Sequence, residues 1–215
     1  MSLKQIPLTI IVAATNKNGI GNNGGLPWPM LKKEMAYFAR VTKRVPMPQT
    51  NLEGTRRNVV IMGRKTWDSI PPKFRPLKDR TNIIISTQDR SKLGSIPNDV
   101  VVASNISSGL EALEKHVKDG KALPVGRAFV IGGSSIYDAA LKLPQTKSIL
   151  LTRIKQDFDC DTVFPEDVGA LSSSWRQSSR EDLERFVAEE VPSDGLTEGE
   201  GEQSTSYEFH LYQRS

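Results

Sequence analysis

The chain has a single cysteine, Cys160, in 215 residues. One thiol cannot build a disulfide framework, and it excludes a thiolate-ligated metal cluster. Histidine is almost as scarce: His116 and His210 are the only two, far apart in sequence. His116 sits in a charged helical pattern and His210 in a C-terminal strand pattern. Both read as structural or exposed, and no metal site is expected. No apolar run approaches the ~20 residues a membrane span requires, so no membrane partner is expected. The opening residues, MSLKQIPLTIIVAAT, lack a secretory layout, and their apolar stretch reads as a first strand. The expected setting is a reducing cytoplasm. Aromatics make up only 7% of the chain, and no platform of aromatics interleaved with bases is found, so no nucleic acid is required.

What is present is charge, unevenly placed. Residues 181–206 hold nine of the 25 acids and one base, Arg185, which leaves the rest of the chain strongly basic. Many bases cluster between Arg64 and Lys92. For any single lysine this reads as a solvated face, but collectively they form a field that draws in small anions.

Apolar runs at Leu8–Ala14, Asn58–Met62, Thr81–Ile85, Val100–Ala103, Ala128–Ile131 and Ser148–Ile154 are rich in β-branched residues. Their continuity predicts strands buried on both faces. Helical patterns alternate with them at Met30–Thr42, Lys65–Ile70, Leu110–Lys118 and Ser135–Leu143, with Ser108 and Glu111 as a capping box for the third. The period-two run Tyr207–Tyr212 adds an antiparallel edge. The expected fold class is α/β: one domain over residues 1–215, with a twisted, mostly parallel central sheet of about eight strands, an antiparallel C-terminal edge and helices on both faces. The acidic 181–206 stretch reads as a mobile insertion, with a long loop from Glu189 to Ser206. A monomer is expected.

Gly19–Phe38, GIGNNGGLPWPMLKKEMAYF, carries the strongest signal. Gly19-Ile20-Gly21-Asn22-Asn23-Gly24 fits G-x-G-x-x-G, yet a dinucleotide fingerprint needs a helix opening on those glycines and an acid about 20 residues on. Here Gly25, Pro27 and Pro29 delay the helix, and Lys43–Thr50 offers no acid. The stretch reads better as a mobile loop beside a pocket. On the helix that follows, Leu31, Met35 and Phe38 define an apolar face, and Glu34 falls inside it. A carboxylate placed there needs a cationic or strongly hydrogen-bonding partner.

Two strand ends look ready for phosphate. One strand stops at Gly63 ahead of Arg64-Lys65-Thr66, and another stops at Gly132-Gly133 ahead of Ser134-Ser135. Helix N-termini bind anions through free amides, and glycine lets a phosphate approach the backbone. Two such ends on one sheet suggest a dinucleotide. A third strand ends in Ser86, Thr87 and Arg90, which suits the 2′-phosphate of NADP.

Together, GIG-NNGG-LPWP with Glu34 downstream, MGRKTWDSIP, RPLKDRTNIIIS, FVIGGSSIYDAAL and LTRIKQDFDCDTVFP resemble the dihydrofolate reductase family, more closely its eukaryotic forms, fungal ones among them, than compact bacterial ones. The resemblance covers Leu8 to about Asp167 and resumes at Tyr207–Tyr212. It implies NADPH as cofactor, dihydrofolate and antifolate-type ligands as partners, and reduction of 7,8-dihydrofolate at C6 with protonation at N5. It assigns Glu34 to the pterin 2-amino group and N3 side, Trp28 to an active-site water, and Thr152 to a hydrogen bond with the acid. It gives Arg80 the folate α-carboxylate. It lines the pterin and aminobenzoyl slot with Leu26, Met35, Phe38, Ile70, Phe74 and Leu77. Ile11, Ala13, Ile131 and Tyr137 fall near pterin and nicotinamide. It implies cofactor contacts at Ala13, Ile20, Gly63, Arg64, Lys65, Thr66, Ser86, Thr87, Gly132, Gly133, Ser134 and Ser135.

Thr87 departs from the arginine many eukaryotic forms carry for the 2′-phosphate, so that contact passes to Arg64 or Arg90. Two alternatives stay open: a riboflavin-pathway pyrimidine reductase on the same fold, and a non-catalytic nucleotide or nucleic-acid binder using the basic face.

Overall fold

A computed structural model describes residues 2–46 and 55–215. In chain order the strands and helices begin with β1 (Leu8–Thr15), β2 (Gly19–Gly21), α1 (Lys32–Lys43), β3 (Arg57–Gly63), α2 (Arg64–Ser69) and β4 (Thr81–Ile85). Next come β5 (Val101–Ala103), α3 (Ile106–Lys118), β6 (Val125–Gly132), α4 (Ser134–Leu141) and β7 (Thr146–Ile154). The chain continues through β8 (Thr162–Val163), β9 (Arg176–Gln177), α5 (Arg180–Val187), β10 (Leu196–Glu198) and β11 (Thr205–Gln213). The class is α/β, as the alternation of runs implied. Contacts group the chain into two compact units, Met1–Leu8 with Thr42–Thr146, and Thr9–Val41 with Lys147–Ser215.

The first unit is a parallel sheet in the order β6-β3-β4-β5. Val59, Val60, Ile61, Met62, Ile83, Ile84, Phe129 and Val130 are fully buried, which is why these strands read as unbroken apolar runs. α3 packs closely because Gly109 has no side chain: a Cβ there would stand 2.9 Å from Ile83. Its cap differs from the expected one. Asn105 and Ser108 exchange backbone and side-chain hydrogen bonds as a capping box, so the helix starts at Ile106 rather than Leu110.

Asn58 is a fully buried polar residue at the start of β3. Its amide donates to the carbonyls of Thr42 (3.0 Å) and Arg44 (2.8 Å), and its carbonyl accepts from Arg127 N–H (2.7 Å). These three bonds tie β3 to β6 and to the segment entering the unit. Asn58→Ala leaves buried backbone groups unpaired, so a loss of about 2 kcal/mol in unfolding free energy is expected. Urea denaturation measures it, and a loss below about 0.5 kcal/mol contradicts the clamp.

In the second unit the strand order is β10-β11-β7-β1, with β9 also on β11. β11 runs antiparallel to β7 from Tyr207 opposite Ile154 to Gln213 opposite Ser148. The antiparallel strand is present but is not the edge, because β10 pairs outside it. The stretch expected to be a loop from Glu189 to Ser206 therefore contains a strand, and α5 precedes it. Short strands escape a periodicity reading because three residues carry too little pattern.

Candidate active site

α1 stands on the second unit with Leu31, Tyr37 and Val41 buried. Tyr37 stacks on Phe209 with ring centroids 3.9 Å apart. Met35, expected on the apolar face, is instead 48% exposed, and Phe38 is half-buried. Glu34 lies between these regimes and is only partly exposed. Thr152, on β7, donates its hydroxyl to Glu34 Oε1 at 3.0 Å. Oε2 has no partner among the described residues. Burial pushes the Glu34 carboxyl up to about 7; the Thr152 bond opposes the rise and the Glu198 charge adds to it. A carboxyl poised there can hold a proton at neutral pH or accept two donors from a planar ring.

Trp28 is buried and meets Phe158 edge-on at 6.3 Å. Leu26 is 58% exposed, which for a leucine beside a stiff proline elbow suits a surface that an apolar ligand covers. Ile11 is buried on β1, with Ala13 partly exposed two residues on. Ile20 lies on β2, which pairs with β8. The glycine loop after it is a tight hairpin. Asn22 and Gly25 exchange backbone hydrogen bonds at 3.0 Å, and the central Asn23 and Gly24 have φ of 50° and 77°. Two positive φ angles at an Asn-Gly pair are the signature of a type I′ turn. No helix opens on these glycines, so the dinucleotide fingerprint is absent from this stretch.

The first unit carries the phosphate-type features. Gly63 precedes α2 and Gly133 precedes α4, and neither cap is filled by a side chain. A Cβ on Gly63 would stand 2.9 Å from Ile136. Gly132 has φ of 118°, a conformation reserved for glycine, and a Cβ there would stand 3.2 Å from the Tyr137 hydroxyl. Thr66 lies close to Gly133, with its hydroxyl 3.7 Å from the position of a Cβ there. Lys65, Ser135 and Thr87 are exposed; Ser134 and Ser86 are partly so. A bare backbone, adjacent hydroxyls and an exposed lysine fit a dinucleotide phosphate.

Arg90 does not fit the role held open for it. Its guanidinium donates to the carbonyls of Val100 (2.7 Å), Ile96 (3.3 Å) and Pro97, which binds the fork to its own loop. Arg64, which pairs with Asp68 at 3.4 Å and Gln88 at 2.5 Å, sits in an exposed network that can rearrange.

Arg80 is 8% exposed. It donates to Thr42 Oγ1 (2.9 Å) and the Lys78 carbonyl (3.0 Å), with no carboxylate at salt-bridge distance among the described residues. Burial pushes its proton affinity down, with partial relief from Asp79. Asn82 holds this turn through the backbone of Leu77 and the Arg80 carbonyl. A buried guanidinium with no counter-ion among the described residues can receive an external carboxylate. Phe74 is 57% exposed, Ile70, Leu77 and Ile131 are partly exposed, and Tyr137 is buried.

Among the described residues, no group of His, Cys, Asp and Glu is placed to hold a metal, and no helix is long and apolar enough to cross a membrane.

A protein-family model described as dihydrofolate reductase matches residues 7–193. The chain belongs to the dihydrofolate reductase family. It is 39% identical over 213 residues to the dihydrofolate reductase of Pneumocystis carinii, covering 98% of both chains. It is 38% identical over 210 residues to that of Rattus norvegicus, covering 97% of both. Among solved structures it superposes on Schistosoma mansoni dihydrofolate reductase with a TM-score of 0.72 at 32% identity, over 98% of this chain and 99% of that one. The family is one of oxidoreductases, so the acid on α1 and the bare glycine turns belong to an enzyme.

Sequence reading missed Glu198 and Tyr207, which lie against the start of α1. A faint signal existed: Leu31, just before the helix, cannot cap it, so a partner from elsewhere was required.

Proposed function

We propose that this chain catalyses the NADPH-dependent reduction of 7,8-dihydrofolate to 5,6,7,8-tetrahydrofolate, serving one-carbon and thymidylate metabolism. The reading rests above all on Glu34, a partly exposed carboxyl on α1 held by Thr152, its other oxygen without a partner among the described residues. NADPH, when bound, supplies the hydride that reduces C6. The chain's own residues do the rest. Glu34 takes the pterin 2-amino group and N3 side by a two-point contact, which fixes the ring's orientation. Thr152 fixes the orientation of that carboxyl. The proton that Glu34 holds near neutral pH passes toward the pterin, and the carboxylate left behind favours the cationic character the ring gains as N5 is protonated. N5 lies at the other end of the ring from Glu34's contact, so the proton reaches N5 through water, a step suited to Trp28. Arg80 meets the glutamate α-carboxylate of the substrate. Gly63, Arg64, Lys65, Thr66, Gly132, Gly133, Ser134 and Ser135 form the cofactor's backbone and hydroxyl cradle, with Ser86 and Thr87 toward the 2′-phosphate.

The test is consumption of NADPH by the purified protein on addition of dihydrofolate, compared with NADH and with a riboflavin-pathway pyrimidine substrate. Turnover restricted to dihydrofolate, faster with NADPH, is expected. Turnover of the pyrimidine alone would overturn the reading.

A further inference from the structure

The first turn of α1 is capped by a residue 165 positions away. Lys33 N–H donates to both carboxylate oxygens of Glu198, at 3.0 and 3.1 Å. Helix N-termini expose amides that normally find an oxygen from a Ser, Thr, Asp or Asn just before the helix. Here that place is held by Leu31, whose carbonyl starts the helix through Met35 N–H at 2.9 Å but whose side chain is buried and has no acceptor. Glu198, on β10, supplies what the local sequence lacks. It is itself fixed, because Tyr207 on β11 donates its hydroxyl to Glu198 Oε2 at 2.6 Å.

We infer that Glu198 is a positioning residue for the reaction proposed above: through α1 it sets the place of Glu34 and the charge against which Glu34 holds its proton. Glu34 is the next residue after the amide that Glu198 grips. The same carboxylate cancels the positive end of the α1 dipole, which would otherwise favour an ionised Glu34. The Glu198 charge raises the cost of ionising Glu34, since like charges resist joint ionisation. The division of labour is visible in the surroundings. Burial alone would push Glu198 up, but the Tyr207 hydroxyl, the Lys33 and Glu34 amides and the Lys33 charge hold it below the usual carboxylate range. Glu198 is thus the ionised member and Glu34 the one that keeps a proton. The other groups facing Glu34 are Thr152, which is neutral, and Tyr37 and Tyr207, whose phenols are both pushed up by burial first and stay neutral across the working range.

The inference rests on the proposed reaction, but its primary readout does not. The Glu34 carboxyl is titrated by carbon NMR in the ligand-free parent, in Glu198→Gln and in Glu198→Asp. Gln keeps one oxygen that can accept from both the Lys33 amide and the Tyr207 hydroxyl; it removes the charge and the second acceptor. In Glu198→Gln the Glu34 midpoint is expected to fall by about one pH unit, a roughly five-fold smaller protonated fraction at pH 7. Glu198→Asp, which restores the charge, is expected to recover most of it. The pH profile of dihydrofolate reduction should move down with the midpoint. A merely structural cap would lower stability without moving it. A midpoint unchanged in a folded Glu198→Gln protein overturns the inference. Should that variant fail to fold, the parent alone decides: the Lys33 amide resonance should show two steps, one from Glu198 at low pH and one at the Glu34 midpoint. A single low-pH step overturns it. Absence of dihydrofolate turnover in the parent would instead refute the proposed reaction and leave the titration interpretable.

Discussion

Glu34→Gln is expected to slow dihydrofolate reduction by two to four orders of magnitude at neutral pH, the range attributed to a well-placed acid or base. The amide keeps the shape of the side chain and can still accept from Thr152. It cannot hold a proton, nor offer a carboxylate to two donors on a planar ring. NADPH affinity should change little, since the cradle assigned to it lies on the glycine turns of the other unit. The parent's rate should fall about ten-fold per pH unit above about 7, as the carboxyl loses its proton. In the variant that dependence should flatten. Rapid-mixing kinetics under single-turnover conditions measures the step, and a near-parental rate would remove Glu34 from its role.

The same substitution has a stability signature of opposite sign. An ordinary glutamate loses its proton near 4.5, whereas Glu34 does so near 7 in the folded chain. The folded state therefore binds this proton more tightly, and ionising Glu34 costs stability progressively as pH rises from 4.5 to 7. Below that window there is no cost; above it the cost is constant. Glu34→Gln removes it, so the ligand-free variant is expected to be more stable than the parent above pH 7 by up to about 3 kcal/mol, with no gain at pH 4. A residue that lowers stability while serving chemistry is the usual mark of a functional site.

Arg80→Leu is expected to weaken binding of dihydrofolate by about 3 kcal/mol, or roughly a hundred-fold, the scale of leaving one member of a desolvated charge pair alone. The leucine fills much of the volume of the buried stem, so the loss falls on the ligand's carboxylate. Two observations make the effect specific. Among the described residues Arg80 has no carboxylate at salt-bridge distance, and it donates to Thr42 and to the Lys78 carbonyl. A pterin lacking the glutamate tail should bind parent and variant alike. Equilibrium titration of both ligands measures this, and an equal loss for the tail-less ligand would show that Arg80 shapes the site rather than meeting the carboxylate.

Much of this was legible because the signals are strong in physical terms. β4 begins and ends where the run Thr81–Ile85 does: Ile83, Ile84 and Ile85 are buried, and the one buried amide, Asn82, has its hydrogen bonds met by the backbone of Leu77 and Arg80. Glu34 announced itself as a carboxylate among Leu31, Met35 and Phe38. The role of those neighbours was harder to see. A helical wheel places residues on one side but cannot say whether that side meets core or ligand; of the apolar face it drew, Leu31 is buried and Met35 is 48% exposed. Arg90 carried a sensible anion-binding reading, yet three carbonyls of its own loop claim it. Chain reversals of that kind leave no pattern in composition. The Glu198–Lys33 contact was hidden for a similar reason: it joins residues far apart through a three-residue strand inside an acidic stretch that read as a loop.

The claim on which everything turns is that Glu34 holds its proton to near neutral pH and surrenders it to a pterin. Carbon NMR titration of the Glu34 carboxyl, with and without a 2,4-diaminopteridine antifolate, tests this directly. The free protein should show a midpoint near 7, and the cationic ring should drive it far down by pairing with the carboxylate. A midpoint near 4.5 in the free protein, unmoved by the ligand, would contradict the account.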